Sequence, residues 1–236
     1  MSLDAAIAKN LEGRFLVFDG PDGCGKTTQL ALLAKELTGL GVEVVQTRDP
    51  GGTEISDRIR QVLLGYDLAR MDVRCEILLF MASRAQLVSE VIRPALADRK
   101  TVLCSRFISA SYAYQGAAGF DTTHLRELGD CAVGDCWPDL TIVLDVPVEQ
   151  GFKRTGRKPH HAGANRDVRS GEQHLLIDDA TVDAMEARPL AYHRNVREAF
   201  LALPGEYPKP VRIIDGTGSA REVFKRVTGT LADVVF

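Results

Sequence analysis

Five short apolar runs punctuate the chain, at residues 14–19, 42–47, 101–105, 140–146 and 211–215. Each is nearly continuous in apolar residues rather than alternating, the pattern of strands covered on both faces. The segments between them are long enough to hold at least one helix each. That order predicts an α/β fold, a five-stranded parallel sheet flanked by helices. Helical spacing is clearest at 29–40, where Leu30, Leu33, Leu37 and Leu40 recur on one face. It recurs at 73–97 around Ile77, Phe80, Met81, Leu87, Val88 and Val91, then at 182–203 and 220–235. With no internal repeat and no low-complexity linker, residues 1–236 read as a single domain, interrupted by an irregular excursion at about 155–180.

The turn after the first run carries chemistry. Gly20, Pro21, Asp22, Gly23, Cys24, Gly25, Lys26, Thr27 and Thr28 follow an apolar strand and precede a helix. Three glycines let the backbone curl into a concavity of N–H groups, Lys26 adds a mobile positive charge, and the Thr27 hydroxyl can ligate Mg²⁺. The dipole of the following helix also favours an anion there. These features predict binding of a nucleoside triphosphate together with Mg²⁺. In a sheet of this kind the rest of the site lies beyond the carboxyl ends of the strands.

Composition narrows the partners. The net charge of −3 and pI near 6.0 argue against a general binder of nucleic-acid polymers, which needs a basic surface to replace counterions. Five cysteines without C-x-x-C spacing indicate neither a disulfide framework nor a zinc site. The first twelve residues read as neither a signal peptide nor a membrane span. A soluble cytoplasmic protein is expected. His160, His161 and His174 have no partner acids or thiols at metal-ligand spacing.

A second group of residues falls where the strands end. Arg48 closes the second run, in Thr47-Arg48-Asp49-Pro50-Gly51-Gly52-Thr53. Phe80 and Arg84 lie four apart on the long helix and share a face, where a ring can stack on a base and a guanidinium can grip an anion or a base edge. Phe80 also fits the apolar core beside Ile77 and Met81. Arg106 ends the third run, followed by Ser111, Tyr114 and Gln115. Three arginines from separate segments point to a phosphate acceptor, because transfer between two anions needs positive charge. Residues 151–181 read as a lid, with Arg154 and Arg157 as candidates to close over the transferring group.

Together these segments resemble the thymidylate kinase family. The phosphate loop at 20–28 is similar to the family's, and 47–53 resembles its T-R-E-P-G-G-T segment. Residues 76–86 resemble its helix with a base-stacking phenylalanine and R-A-Q, 105–116 its D-R-Y/F…Y-Q-G stretch, and 138–147 its P-D-L-T-I-x-L-D-V-P strand. The resemblance implies ATP-dependent phosphorylation of dTMP to dTDP by a homodimer. It places Phe80 on thymine, Arg84 and Gln115 at or near the base, and Arg48 and Arg106 on the acceptor phosphate. Asp22 would help organise acceptor and magnesium. Gly23, where some members carry arginine, implies the bacterial type whose catalytic arginine comes from the lid. Two departures stand out: Ser105 replaces the family's aspartate, and the short D-R-x-E lid exit is replaced by an insertion at 163–181. These motivate two rival readings, a non-catalytic nucleotide sensor on the same fold and a kinase for another pyrimidine nucleotide or deoxynucleoside.

Overall fold

The computed structural model describes residues 3–65, 71–156 and 188–234. In chain order these form α1 (Ala5–Asn10), β1 (Phe15–Asp19), α2 (Lys26–Gly39), β2 (Val44–Arg48), α3 (Glu54–Gly65) and α4 (Val73–Leu87). A π-helical turn (Val88–Ile92) leads into α5 (Arg93–Ala97), then β3 (Thr101–Ser105), α6 (Ile108–Ala117), α7 (Thr122–Val133) and β4 (Leu140–Asp145). The chain closes with α8 (Val148–Arg154), α9 (Leu190–Glu206), β5 (Val211–Asp215) and α10 (Ala220–Ala232).

The five strands are all parallel and lie in the order β2-β3-β1-β4-β5. Every residue of β1 is buried, which is why its sequence is an unbroken apolar run ending in one acid. Successive side chains on a strand point to opposite faces, and β1 divides accordingly. Phe15 and Val17 join Ile77 of α4, Ala113 of α6 and Phe200 of α9 in one layer. Leu16 and Phe18 join Leu33 and Leu37 of α2 and Phe224 and Val227 of α10 in the other.

The helix expected over 73–97 runs without a gap but is not α-helical throughout. Pro94 has no N–H to offer Glu90, and its ring would crowd that carbonyl. The chain widens by one residue just before it, and the Arg93 N–H bonds to the Val88 carbonyl. The helix expected over 182–203 is described from Leu190 and continues to Glu206. Its first residues, 182–187, lie outside the described residues.

Chain order reverses at β1, which has β3 on one side and β4 on the other. The crevice at this switch point is where such sheets bind ligands. Here it receives the phosphate loop from β1 and Arg106 from the end of β3.

Candidate active site

The phosphate loop runs from the end of β1 to the first turn of α2. Gly23 has φ 72°, and a Cβ built on it would lie 2.2 Å from the Gly151 carbonyl oxygen. The converse holds too, since a Cβ on Gly151 would lie 2.2 Å from the Asp22 carbonyl. Loop and α8 therefore touch backbone to backbone, and an arginine at position 23 has no room. Lys26 Nζ donates to the carbonyls of Gly20 (3.0 Å) and Pro21 (2.9 Å). Pro21 and Cys24 are buried beneath the loop, while Thr27 and Thr28 stand exposed on the first turn of α2. From α8, the Arg154 guanidinium donates to the carbonyls of Gly23 (3.4 Å), Gly216 (3.1 Å) and Gly218 (3.3 Å). Arg157 lies outside the described residues.

Beside the loop opens a cleft of about 550 Å³, lined by Asp22, Asp49, Arg60, Phe80, Arg84, Arg106, Ser111, Tyr114 and Gln115 among others. Arg84 forms part of its wall yet is fully buried. Nε donates to Asp49 Oδ2 (2.6 Å), one terminal nitrogen to Ser111 Oγ (2.8 Å), and the other to the Phe107 carbonyl (3.0 Å). The same guanidinium lies 5.5 Å from the centre of the Phe80 ring. Burial, helped by the nearby Asp19 charge, pushes the Asp49 carboxyl above its ordinary range, and Arg84 opposes that shift by charge and hydrogen bond.

Arg106 links cleft to loop. It sits at φ 68°, a left-handed conformation that costs a non-glycine residue energy and clusters at functional sites. Its guanidinium donates to Asp22 Oδ1 (2.5 Å) and to Tyr114 Oη (3.1 Å), and stacks 5.0 Å from the Tyr114 ring centre. Its other terminal nitrogen lies 3.4 Å from Asp19 Oδ1. Burial works against the charge on Arg106, but Tyr114, Asp22 and Asp19 outweigh it and hold its pKa above the ordinary value. Asp19, fully buried at the end of β1, also accepts from the Ser109 hydroxyl (2.6 Å) and the Gly20 N–H (2.9 Å). Desolvation raises its pKa, against the pull of Arg106, Ser109 and Lys26.

Comparison with known proteins settles the family. The thymidylate kinase family model matches residues 18–227. The thymidylate kinase of Thermomicrobium roseum is 41% identical over 222 residues, 94% of this chain and 95% of that protein. That of Syntrophotalea carbinolica is 39% identical over 222 residues, 94% and 96% of the two chains. The chain belongs to the thymidylate kinase family. A crystal structure of thymidylate kinase from Ehrlichia chaffeensis superposes with a TM-score of 0.67 at 28% identity, covering 92% of this chain and 98% of that one.

Set against the thymidylate kinase motifs, the structure gathers most of the expected residues but not all. Phe80, Arg84, Arg106, Ser111, Tyr114 and Gln115 share the cleft with Asp22. Arg48 is not among its lining residues. Its mostly exposed guanidinium lies 3.6 Å from Asp57 of α3, because the last residue of edge strand β2 faces outward. Nor do three arginines converge as free cations, since Arg84 is committed to Asp49, Ser111 and Phe107. The cleft's additional arginine is Arg60 of α3, which donates to the Pro50 carbonyl at 2.9 Å. Asp145, at the end of β4, is held in a two-pronged pair with Arg197 (2.6 and 2.8 Å). Asp19, Asp49, Arg60 and Glu76 went unnoticed in the sequence. The T-R-D-P segment and an acid closing an apolar strand were the available signals for Asp49 and Asp19.

Proposed function

We propose that this chain transfers the terminal phosphoryl group of ATP directly to thymidylate, giving dTDP and ADP. The observation that carries the reading is Arg106, which bonds at once to Asp22 of the phosphate loop and to Tyr114 of the cleft. A donor held by the loop and an acceptor held in the cleft would meet at its guanidinium. Membership of the thymidylate kinase family supports thymidylate as acceptor.

In this reading the loop amides and Lys26 hold the donor phosphates. Lys26 exchanges its bonds to the Gly20 and Pro21 carbonyls for phosphate oxygens. Phe80 supports the base, with Arg84, Ser111 and Gln115 around it, while Arg106 and Arg60 face the acceptor phosphate. Arg48 is assigned to the approach to the cleft rather than its interior. Arg154, already against Gly23, supplies the second positive charge near the transferring group, with Arg157 as its alternative from the lid. Chemistry of this kind is positioning and charge stabilisation, with no covalent intermediate.

Thr27 and Asp22 offer hard oxygen donors suited to Mg²⁺, which takes few protein ligands and completes its shell with phosphate and water. Among the described residues no group of three or more His, Cys, Asp or Glu side chains is placed to hold a metal on its own. When bound, magnesium supplies charge neutralisation on the phosphates. The whole chain, 1–236, would act as one kinase domain with its lid within 151–181, in the cytoplasm.

A homodimer is part of the proposal. Ile55 and Val62 of α3 and Leu78 of α4 are large apolar side chains left exposed on two helices that pack together. Within 73–91 the large apolar side chain left exposed is Leu78, while Ile77, Phe80, Met81, Leu87 and Val88 are buried. Light scattering at micromolar concentration tests it, and a monomer would reject it.

The activity test is direct: incubate purified protein with ATP, Mg²⁺ and a panel of nucleotide acceptors, and measure ADP and diphosphate. Thymidylate should be the preferred acceptor. Tight binding of ATP and thymidylate without turnover would instead establish a sensor.

A further inference from the structure

Glu76 lies on α4 one turn before Phe80 and two before Arg84, so the three share a face. It is almost completely buried, and neither oxygen is idle. Oε1 accepts from the Gln115 side-chain amide at 2.5 Å, and Oε2 accepts from Arg188 at 3.1 Å. Arg188 is fixed in turn, its guanidinium 4.6 Å from the Tyr192 ring centre, and the Tyr192 hydroxyl donates to the carbonyl of Tyr114 at 2.8 Å. A buried acid, a guanidinium and a glutamine are thus locked together directly behind the cleft wall.

This arrangement has a chemical consequence for Gln115. A carboxylate paired with a guanidinium has lone pairs and no proton to give. The end of the Gln115 amide that faces Glu76 must therefore be its NH₂ group, and the reverse orientation would set two oxygens against each other in a buried site. The carbonyl oxygen is left for the cleft that Gln115 lines. We infer that Glu76, braced by Arg188, is a positioning residue that makes Gln115 a hydrogen-bond acceptor toward the bound base and so selects pyrimidines carrying an N3–H. Thymine and uracil present that proton, whereas cytosine presents a lone pair at N3. Arg84, on the same helix face, can only donate, which suits the neighbouring 4-oxo group and not a 4-amino group. Discrimination of this kind is strong because a mismatched base leaves buried polar groups unpaired.

The inference rests on the thymidylate kinase reading, and one series of assays separates the two. Specificity constants for dTMP and dCMP are measured for the wild type and for Glu76→Gln, which keeps the shape but lets the Gln115 amide turn over. The dTMP/dCMP ratio should fall about tenfold or more, mainly through a higher KM for dTMP with kcat little changed. Gln115→Met should lower the ratio as well, and adding Glu76→Gln to it should lower it no further, because the acid acts only through the amide. Glu76→Asp keeps an acceptor-only group and should hold the ratio closer to wild type than Glu76→Gln does. It also serves should the glutamine variant fail to fold. An unchanged ratio in Glu76→Gln, equal loss for both acceptors, or additive effects in the double variant would overturn the role of Glu76. Failure of the wild type to phosphorylate dTMP would instead overturn the activity on which it depends.

Discussion

Replacing Gly151 with alanine tests whether the backbone contact between α8 and the phosphate loop sets the geometry of the site. The added Cβ would lie 2.2 Å from the Asp22 carbonyl oxygen, where ordinary van der Waals contact begins at 3.4 Å. The obstacle is main chain and cannot swing aside, so α8 and the loop must separate by about 1.2 Å, the difference between those two distances. Overpacking on this scale costs about 1–3 kcal/mol, a loss of several degrees in Tm for a chain of this size. The functional cost should exceed the structural one. Asp22, its partner Arg106 and the docked Arg154 would all shift by a large fraction of an ångström, and a 1 Å misplacement can reduce turnover on the order of 100-fold. Gly229→Ala, in open space on α10, is the control and should gain about 0.5–1 kcal/mol from better helix propensity. Thermal melts and steady-state kinetics with dTMP and ATP give both numbers. A Gly151→Ala enzyme with wild-type Tm and kcat would show that the close approach carries no constraint.

Three further outcomes are expected. Asp49→Ala strands the Arg84 guanidinium in the interior and should cost about 3–5 kcal/mol, read as a lowered urea midpoint at constant slope. Arg106→Ala should reduce kcat about 100- to 1000-fold and also lower Tm, because buried Asp19 loses its partner; near-normal turnover would remove it from the reaction. Asp19 has its folded pKa raised by burial, so its contribution to stability is complete below the unfolded value of about 3.9 and is lost as pH rises through the folded one. Asp19→Asn should therefore become steadily more stable relative to wild type as melts are taken from acid toward neutral pH, while its kcat falls for want of a partner to Arg106. A stability difference that stays flat with pH would refute the assignment.

The strands and the phosphate loop were legible because each is local: a continuous apolar run, then glycines, lysine and threonine at fixed spacing. Residues 101–105 and 211–215 match β3 and β5 end to end. Asp22 stood within the loop motif, but three other acids of the site were not legible, for a physical reason. Asp49 finds Arg84 35 positions away, Asp19 finds Ser109 90 positions away, and Glu76 finds Arg188 112 positions away. No periodicity within one segment reports such pairs. Arg60 was hidden in an amphipathic helix where an arginine reads as a solvated face. Arg48 shows another gap, because a place at a strand end does not say which way the side chain turns. Pro94 announced a disturbance in the long helix, but not that a wider turn would absorb it.

The two faces of β1 do more than fill the interior. One apolar layer seats α2, which opens at the phosphate loop, together with α10, and the other seats α4 and α6, which line the cleft, together with α9. In the proposed reaction the two substrates would rest on separate foundations that share a single five-residue keel. A void opened at Leu33 should be felt first by the triphosphate, and one at Ile77 by its counterpart, whereas damage to the keel itself would unseat both.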